Sequence, residues 1–365
     1  MPADTVPIYP LYALLFVSTG LSDVEVSALF AIWSTVAVVA KVPFGAFADR
    51  FSRKWSIAGA GACQAAGYAL WTVLPVFTGF AAGFVLWGVG GAMSSGAVEA
   101  LVHDGLAAVG AADRFGKVLG RVTAVGLLAQ IPAALPAAVL LSAGGFALVG
   151  WVSVATCPGA ALVATRLPET PRPEPTGYLA LLRSGLAETV RAPDVRLAVL
   201  VVATLAAVDA FEEYFPLVAA QWRVPVPVVP LATVAIPLAG AVGAALGGRR
   251  VPSGLLLGGS AVLLGVMGVV AHPFGLAGVA VFYGVYRLVW VSAEARLQAR
   301  ITGDARATVT SVPGLGSEVF SFAVYGAWVL GGVVAVAVVV LVPAFLLSGR
   351  SRSRPEPDDA VVSPP

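Results

Sequence analysis

The chain reads as an all-α membrane protein, with twelve transmembrane helices arranged in two halves of six. Three observations predict this. Hydrophobic residues fill 58% of the 365 positions and charged residues 12%, about half the charged share of an average soluble domain. The apolar residues gather into runs close to the ~20 residues that a spanning helix needs. The basic residues collect in alternate loops between those runs, as in an oriented multi-span protein.

The runs fall at 6–22, 24–48, 55–77, 80–103, 118–142, 145–165, 195–219, 226–247, 252–271, 274–295, 306–329 and 331–348. The first is the weakest, because Pro7 and Pro10 open it and leave barely ~17 residues. Cys63 and Cys157 both lie in apolar runs, where they read as small buried side chains rather than a disulfide framework. The first twenty residues lack a basic n-region, so no cleaved signal peptide is expected.

Of the 22 Lys and Arg residues, 19 sit in even-numbered loops, their flanks or the tail. Arg223 alone occupies an odd-numbered loop, and Lys41 and Arg287 are intramembrane. The positive-inside rule then predicts both termini on the cytoplasmic side of a cell membrane. Four parts follow: a six-helix half at 1–165, a cytoplasmic linker at 166–193, a second half at 194–348 and a disordered tail at 349–365. The linker opens Pro168-Glu-Thr-Pro171-Arg-Pro173-Glu-Pro175, which no helix tolerates. Tyr178, Leu181, Leu182, Leu186 and Val190 follow at helical spacing and predict a short amphipathic surface helix.

Gly45-Ala-Phe-Ala-Asp49-Arg50-Phe-Ser-Arg53-Lys54 is a charged turn between two apolar runs. It cannot lie in hydrocarbon, so it must surface as a short loop. It resembles the G-x-x-x-D-R-x-G-R-K signature of the major facilitator superfamily, with Ser52 at the second glycine. Tyr9 through Ser22, Ser95 through Asp104 and Arg306 through Ser311 further resemble a group of bacterial members, with His103 where a Tyr is usual and Lys41 where a Glu is usual. The resemblance implies two six-helix halves around a binding cavity lined by helices 1, 4, 7 and 10. It also implies a longer lead-in, so part of helix 1 is expected to precede Met1. In resembling proteins the signature loop clasps one side of the two halves, so Gly45, Asp49, Arg50, Arg53 and Lys54 are expected to form a gate. Asp49 would face a helix dipole, while for Lys54 a purely topological role is the stronger reading. The second-half copy is Gly247-Gly248-Arg249-Arg250, without its Asp.

An ionisable group deep in a span needs a partner or a task. Asp209, Glu212 and Glu213 follow an i, i+3, i+4 pattern, which predicts three carboxylates on one helical face. Asp209 stands ~20 Å along the helix from Arg196. Crowding and burial both raise proton affinity, which suits proton coupling; solvation at the outer mouth is the plainer reading for the two glutamates. Arg287 on helix 10, near Tyr283, Tyr286 and Trp290, either binds those carboxylates or an anionic substrate group, or forms a static bridge. Lys41 and Glu99 are expected to pair in the inner third, unless Lys41 snorkels. Asp104, Gln130 and Glu318 are further candidates, and Glu318 has no partner nameable from sequence. Tyr12, Phe16, Trp33, Tyr214, Phe215, Tyr283, Tyr286 and Trp290 either line an amphipathic cavity or pack elsewhere. Gly88, Gly90, Gly91 and Gly96 suggest close helix approach.

No phosphate-cradling motif occurs, and His103 and His272 are not at metal-ligand spacing. Neither ATP drive, metal, cofactor, nucleic acid nor enzymatic chemistry is expected. The helix 5 pattern of resembling antiporters is replaced by Gln130-Ile-Pro132 and Leu135-Pro136, and their helix 4 arginine is missing. The expectation is a secondary active transporter working by alternating access: proton-coupled export of a small amphipathic organic compound by a monomer in a lipid bilayer. Uptake or facilitated diffusion of a metabolite is the alternative, and a non-transporting scaffold or receptor is the rival of another class.

Overall fold

The computed structural model describes residues 6–50, 52–111, 114–167, 193–249, 251–300 and 306–348. All regular structure among them is helical. The helices are α1 (Tyr12–Ser18), α2 (Asp23–Arg50), α3 (Arg53–Val73), α4 (Phe77–Ala108) and α5 (Phe115–Thr165), then α6 (Pro193–Val208) and α7 (Phe215–Gln221). They continue with α8 (Val229–Thr233), α9 (Ala235–Ala245), α10 (Ser253–Val270), α11 (Gly275–Arg300) and α12 (Arg306–Ser348). The expected linker helix and the tail lie outside the described residues, as do the surroundings of Gly45 and the side chains of Asp49, Arg50, Glu99, His103 and Asp104.

Among the described residues, seven stretches are long and apolar enough to cross a bilayer: Asp23–Lys41, Phe77–Ser94, Leu128–Thr165, Val226–Ala245, Ser253–Val270, Gly275–Leu297 and Pro313–Ser348. Two of them hold two of the expected runs each. A straight α5 would measure about 76 Å, far more than the ~30 Å of hydrocarbon. It breaks at Gly144 (φ −152°, ψ 19°) and Gly145 (φ 64°, ψ −166°), and α12 breaks in the same way at Gly331 (φ −169°, ψ 23°) and Gly332 (φ 56°, ψ −140°). The second residue of each pair occupies a region essentially closed to side chains with a Cβ. The Ile8 N–H donates to Ser153 Oγ at 3.0 Å, while Tyr9 shares a pocket with Gln130. Residues 130 and 153 would stand about 35 Å apart on a straight helix, so the chain folds back at the glycines.

Three of the expected runs fall short of that description. Run 3 is helical as α3 up to Val73 but less apolar. Run 7 is divided between α6, a 3₁₀ turn at Asp209–Tyr214, and α7. Run 1 yields only the seven residues of α1, about 10 Å of helix. Pro7 and Pro10 supply no N–H to a helical ladder, and residues 6–11 form turns instead, Tyr9 N–H bonding Val6 O at 3.1 Å and Leu11 N–H bonding Ile8 O at 2.9 Å. Packing holds this short helix. Tyr12 and Phe16 are buried among Phe30, Trp71, Phe84 and Trp87, with Tyr12–Trp87 centroids at 5.5 Å and Phe16–Trp71 at 5.3 Å. Such aromatic pairs contribute roughly 0.5–1.5 kcal/mol each, and Trp71 also donates its indole N–H to Phe80 O at 3.0 Å.

Local chemistry sets the ends. Ser22 and Glu25 form a capping box at α2: the Ser22 N–H donates to Glu25 Oε2 at 2.8 Å and the Glu25 N–H to Ser22 Oγ at 3.3 Å. Ser52 caps α3 by accepting the Trp55 N–H at 3.3 Å, a physical use for the serine that stands at the signature's second glycine.

Contacts recur along the chain. α2 packs on α4 as α9 packs on α11; α3 packs on the second limb of α5 as α10 packs on that of α12. α2 meets α12, and α8 and α9 meet α5. Small residues make these seams close: a Cβ on Gly243 would overlap Gly284 O, and one on Gly67 would stand 2.9 Å from Gly83 O. Gly88 and Gly90 likewise abut Val36 and Ala60, whereas Gly91 faces open space and has no packing role; the side-chain position of Gly96 lies outside the described set.

Gly145→Ala and Gly332→Ala are each expected to lower stability by about 1–3 kcal/mol. Gly91→Ala, which meets nothing within 4 Å, should be neutral or stabilising. Thermal unfolding of the detergent-solubilised variants checks the contrast.

Candidate functional site

The i, i+3, i+4 carboxylates do not sit on a regular α-helix. Residues Asp209–Tyr214 wind as a 3₁₀ helix, with the Phe215 N–H bonded to Glu212 O. Pro216 supplies the reason. It has no N–H for an i−4 bond to Glu212, and its ring would press on that carbonyl, so the chain tightens before α7 begins. In a 3₁₀ turn residues i and i+3 eclipse, which brings Asp209 and Glu212 over one another.

Across from them stands α11. The Tyr283 hydroxyl lies 3.0 Å from Asp209 Oδ1 and 2.9 Å from Glu212 Oε2. One turn further, Arg287 Nη1 donates to both Asp209 oxygens, at 3.1 and 3.3 Å. Arg287 is nine-tenths buried, while the Asp209 side chain is 31% exposed. The guanidinium is also held from its faces, 4.8 Å over the Trp290 ring and 5.7 Å from that of Tyr283, contacts that favour a cation. Tyr286 donates to Leu205 O at 3.0 Å and fixes α11 against α6. Gly240 on α9 makes the room: a Cβ there would stand 2.6 Å from Tyr283 Cε1 and 3.3 Å from Arg287 Cγ.

Asp209 and Glu212 border a cavity of about 380 Å³ lined by Tyr9 and by residues of α2, α6, the 3₁₀ turn, α11 and α12, in the size range of small-molecule sites. Asp209, Glu212 and Glu213 form one part of its wall; Glu294 and Glu318 add carboxylates, and Tyr9, Trp33, Trp290 and Tyr325 add rings. A smaller pocket of about 60 Å³ shares Tyr9, Glu212 and Glu213 and is otherwise mostly apolar, with Tyr12, Gln130 and Phe215 in its lining. Glu212 and Glu213 therefore stand where the two spaces meet.

At Tyr325 the cavity meets a packed layer. Ser27 Oγ and Tyr214 Oη lie 2.8 Å apart, Ser34 Oγ and Tyr325 Oη 3.0 Å apart, all four residues buried. Phe30 wedges between Tyr214 and Tyr325, at 5.2 and 6.0 Å, and Trp328 stacks on Tyr214 at 4.4 Å. The other end runs to Glu294 near the C-terminus of α11 and Pro313 near the N-terminus of α12, on the side that carries the α2–α3 turn.

The sequence-predicted residues divide accordingly. Asp209, Glu212, Glu213 and Arg287 come together, and Gln130 approaches the two glutamates in the smaller pocket. Lys41 lies 3.8 Å from Glu318, which gives Glu318 the partner that sequence did not name; the Glu99 side chain is outside the described set, and so is that of Asp104. Arg53 and Lys54 open α3 at the turn, apart from the cavity. Of the aromatic candidates, Trp33 and Trp290 line the cavity and Tyr12 and Phe215 the smaller pocket, while Phe16, Tyr214 and Tyr286 are packing residues. Tyr9 and Tyr325 were not anticipated as lining; the only signal for Tyr9 was its place in a resembling segment.

A model of the Major Facilitator Superfamily matches residues 3–322. No curated protein matches the chain by sequence. Among solved structures, a bacterial homologue of the human lysosomal transporter Spinster, in an inward-facing and occupied conformation, superposes with a TM-score of 0.76 at 14% identity, covering 97% of this chain and 94% of its own. A point variant of the nucleoside transporter NupG gives 0.73 at 13% identity over 95% of each chain. A D-xylose–proton symporter gives 0.72 at 15% identity, over 95% of this chain and 93% of its own. Identities this low speak to the fold alone.

Arg287→Gln leaves Asp209 without its cation in a partly buried site and is expected to destabilise by about 1–3 kcal/mol, the upper range for buried pairs being reduced by the exposure of Asp209. Arg287→Gln combined with Asp209→Asn should recover part of that loss. Melting temperatures of the single and double variants measure the coupling.

Proposed function

The chain belongs to the major facilitator superfamily, a transporter and not an enzyme, and on that premise we propose that it carries a small amphipathic organic compound by alternating access, coupled to protons and directed outward. The observation that carries this reading is the run Arg287–Asp209–Tyr283–Glu212, whose two carboxylates stand in the wall of a cavity while the tyrosine and the arginine back them from α11. A carrier needs a group that takes a proton on one side and gives it up on the other, and carboxylates clustered in low dielectric have that chemistry.

The division into halves 1–165 and 194–348 belongs to this proposal. The halves rock about the seams where α2 meets α12 and α5 meets α8 and α9. With the basic loops on the cytoplasmic side by the positive-inside rule, the present conformation opens inward. The Ser27–Tyr214 and Ser34–Tyr325 contacts then form the outer closure. Gly45, Asp49, Arg50, Arg53 and Lys54 form the opposite clasp, made when the outer closure parts. Aromatic walls and a lining that, among the described residues, holds carboxylates with Arg287 and Lys41 behind them suit an amphipathic solute that is not anionic. Uptake or facilitated diffusion of a metabolite, with the charges as static bridges, is the second reading, and the fixed Arg287–Asp209 pair is the observation that favours it.

The test uses inverted vesicles holding the purified protein, an imposed proton gradient, and panels of lipophilic amines, sugars and organic acids. One compound is expected to dissipate the gradient, with at least a tenfold loss of rate in Asp209→Asn or Glu212→Gln. Labelled-solute equilibration untouched by either substitution would replace coupling with facilitated diffusion. Vesicles of the opposite orientation decide the direction.

A further inference from the structure

The bridge at Tyr283 joins three oxygens through a hydroxyl that owns one hydrogen. That hydroxyl lies within hydrogen-bond distance of two carboxylates at once, Asp209 Oδ1 at 3.0 Å and Glu212 Oε2 at 2.9 Å. A tyrosine hydroxyl has one proton to donate and lone pairs with which to accept, and an ionised carboxylate can only accept. With both carboxylates ionised, one of the contacts would set lone pair against lone pair, and an unmade bond at a buried polar group is costly. Both contacts become hydrogen bonds if one carboxyl carries a proton and donates it to Tyr283 Oη, while the Tyr283 O–H donates to the other.

The guanidinium decides which is which. Arg287 Nη1 reaches both oxygens of Asp209, at 3.1 and 3.3 Å, and such a charge-assisted pair requires Asp209 to be ionised. We propose that Glu212 holds a bound proton in this conformation, and that Tyr283 is the positioning residue tying it to the Arg287–Asp209 pair. The proposal deepens the carrier reading by naming which carboxyl holds the coupling proton, and rests on that reading only for the proton's purpose.

Among the described residues, the other ionisable groups lining the two spaces that Glu212 borders are Glu213 on the same 3₁₀ turn, Tyr9 ahead of α1, Tyr12 on α1, Glu294 on α11, and Glu318 and Tyr325 on α12. Lys41 of α2 lies 3.8 Å from Glu318. Release of the Glu212 proton to cavity water leaves an ionised carboxylate against an oxygen already donating to Asp209. The contact between the 3₁₀ turn and α11 then opens at Tyr283. Protonation is thereby linked to the packing of α11 against the chain segment that precedes α7.

Infrared difference spectroscopy at neutral pH, in light and heavy water, reads the proton without any solute. The wild type minus Glu212→Gln spectrum is expected to contain one protonated-carboxyl C=O band. That band should survive Glu213→Gln and shift in frequency in Tyr283→Phe, which removes its acceptor. Gln at 212 keeps an N–H donor toward Tyr283, so this variant is expected to melt at the wild-type temperature. Should it fail to fold, Glu212→Asp is the second variant, and its band is expected to persist at a shifted frequency. No band in the wild type, a band indifferent to Glu212→Gln, or one lost in Glu213→Gln instead, overturns the assignment. The band together with no transport of any solute would sink the carrier reading and leave the proton site; proton-coupled transport without the band would do the reverse.

Discussion

A charge inside hydrocarbon must be answered by another charge or by hydrogen bonds, because no water is there to solvate it, and much of this structure is arranged around that demand. Arg287 and Asp209 meet across the seam between α11 and the 3₁₀ turn at 3.1 Å. Around them Tyr283, Tyr286 and Trp290 supply donors and ring faces, and Gly240 yields the space. Lys41 and Glu318 repeat the theme more loosely between α2 and α12, at 3.8 Å. A pair of this kind adds little net stability by itself. Its effect is positional: it keeps carboxylates at the wall of the cavity, where packing alone would exclude them.

Proline and glycine set the chain's geometry by what they lack. Pro216 cannot complete a helical bond to Glu212, so the chain tightens into the 3₁₀ turn that eclipses Asp209 and Glu212. Gly144-Gly145 and Gly331-Gly332 turn two over-long helices back on themselves with nearly the same dihedral angles. Sites where a side chain would collide with a neighbouring backbone, such as Gly243 against Gly284, bring α9 onto α11. Without a hydrophobic drive between helices in lipid, this close contact is what holds the bundle.

Legibility followed length scale. Apolar runs and the even-loop basic residues were readable because the bilayer imposes its thickness and charge asymmetry directly on sequence. The same runs misled at α1, where two prolines leave seven helical residues, and at run 7, where a continuous helix was expected and a 3₁₀ turn intervenes. Asp209, Glu212, Glu213 and Arg287 were legible as candidates because ionisable residues are conspicuous in apolar context. The partner of Glu318 was not, since Lys41 is 277 positions away in sequence and no local pattern joins them. Tyr9 and Tyr325 were missed because aromatic residues in apolar runs face lipid, packing and cavity alike.

By itself, then, the sequence determined that the chain spans a membrane as helices, roughly where, and which few ionisable groups the interior must accommodate. Composition and periodicity carry that information because every residue meets the same slab of hydrocarbon. Tertiary structure alone decided which of those groups touch: that Arg287 takes Asp209, that one tyrosine hydroxyl spans two carboxylates, and that Ser27 meets Tyr214 in the packed layer beside the cavity. Those contacts depend on how helices far apart in sequence are set against one another to within an ångström, and hydrogen bonds and ion pairs lose their strength over distances of that order.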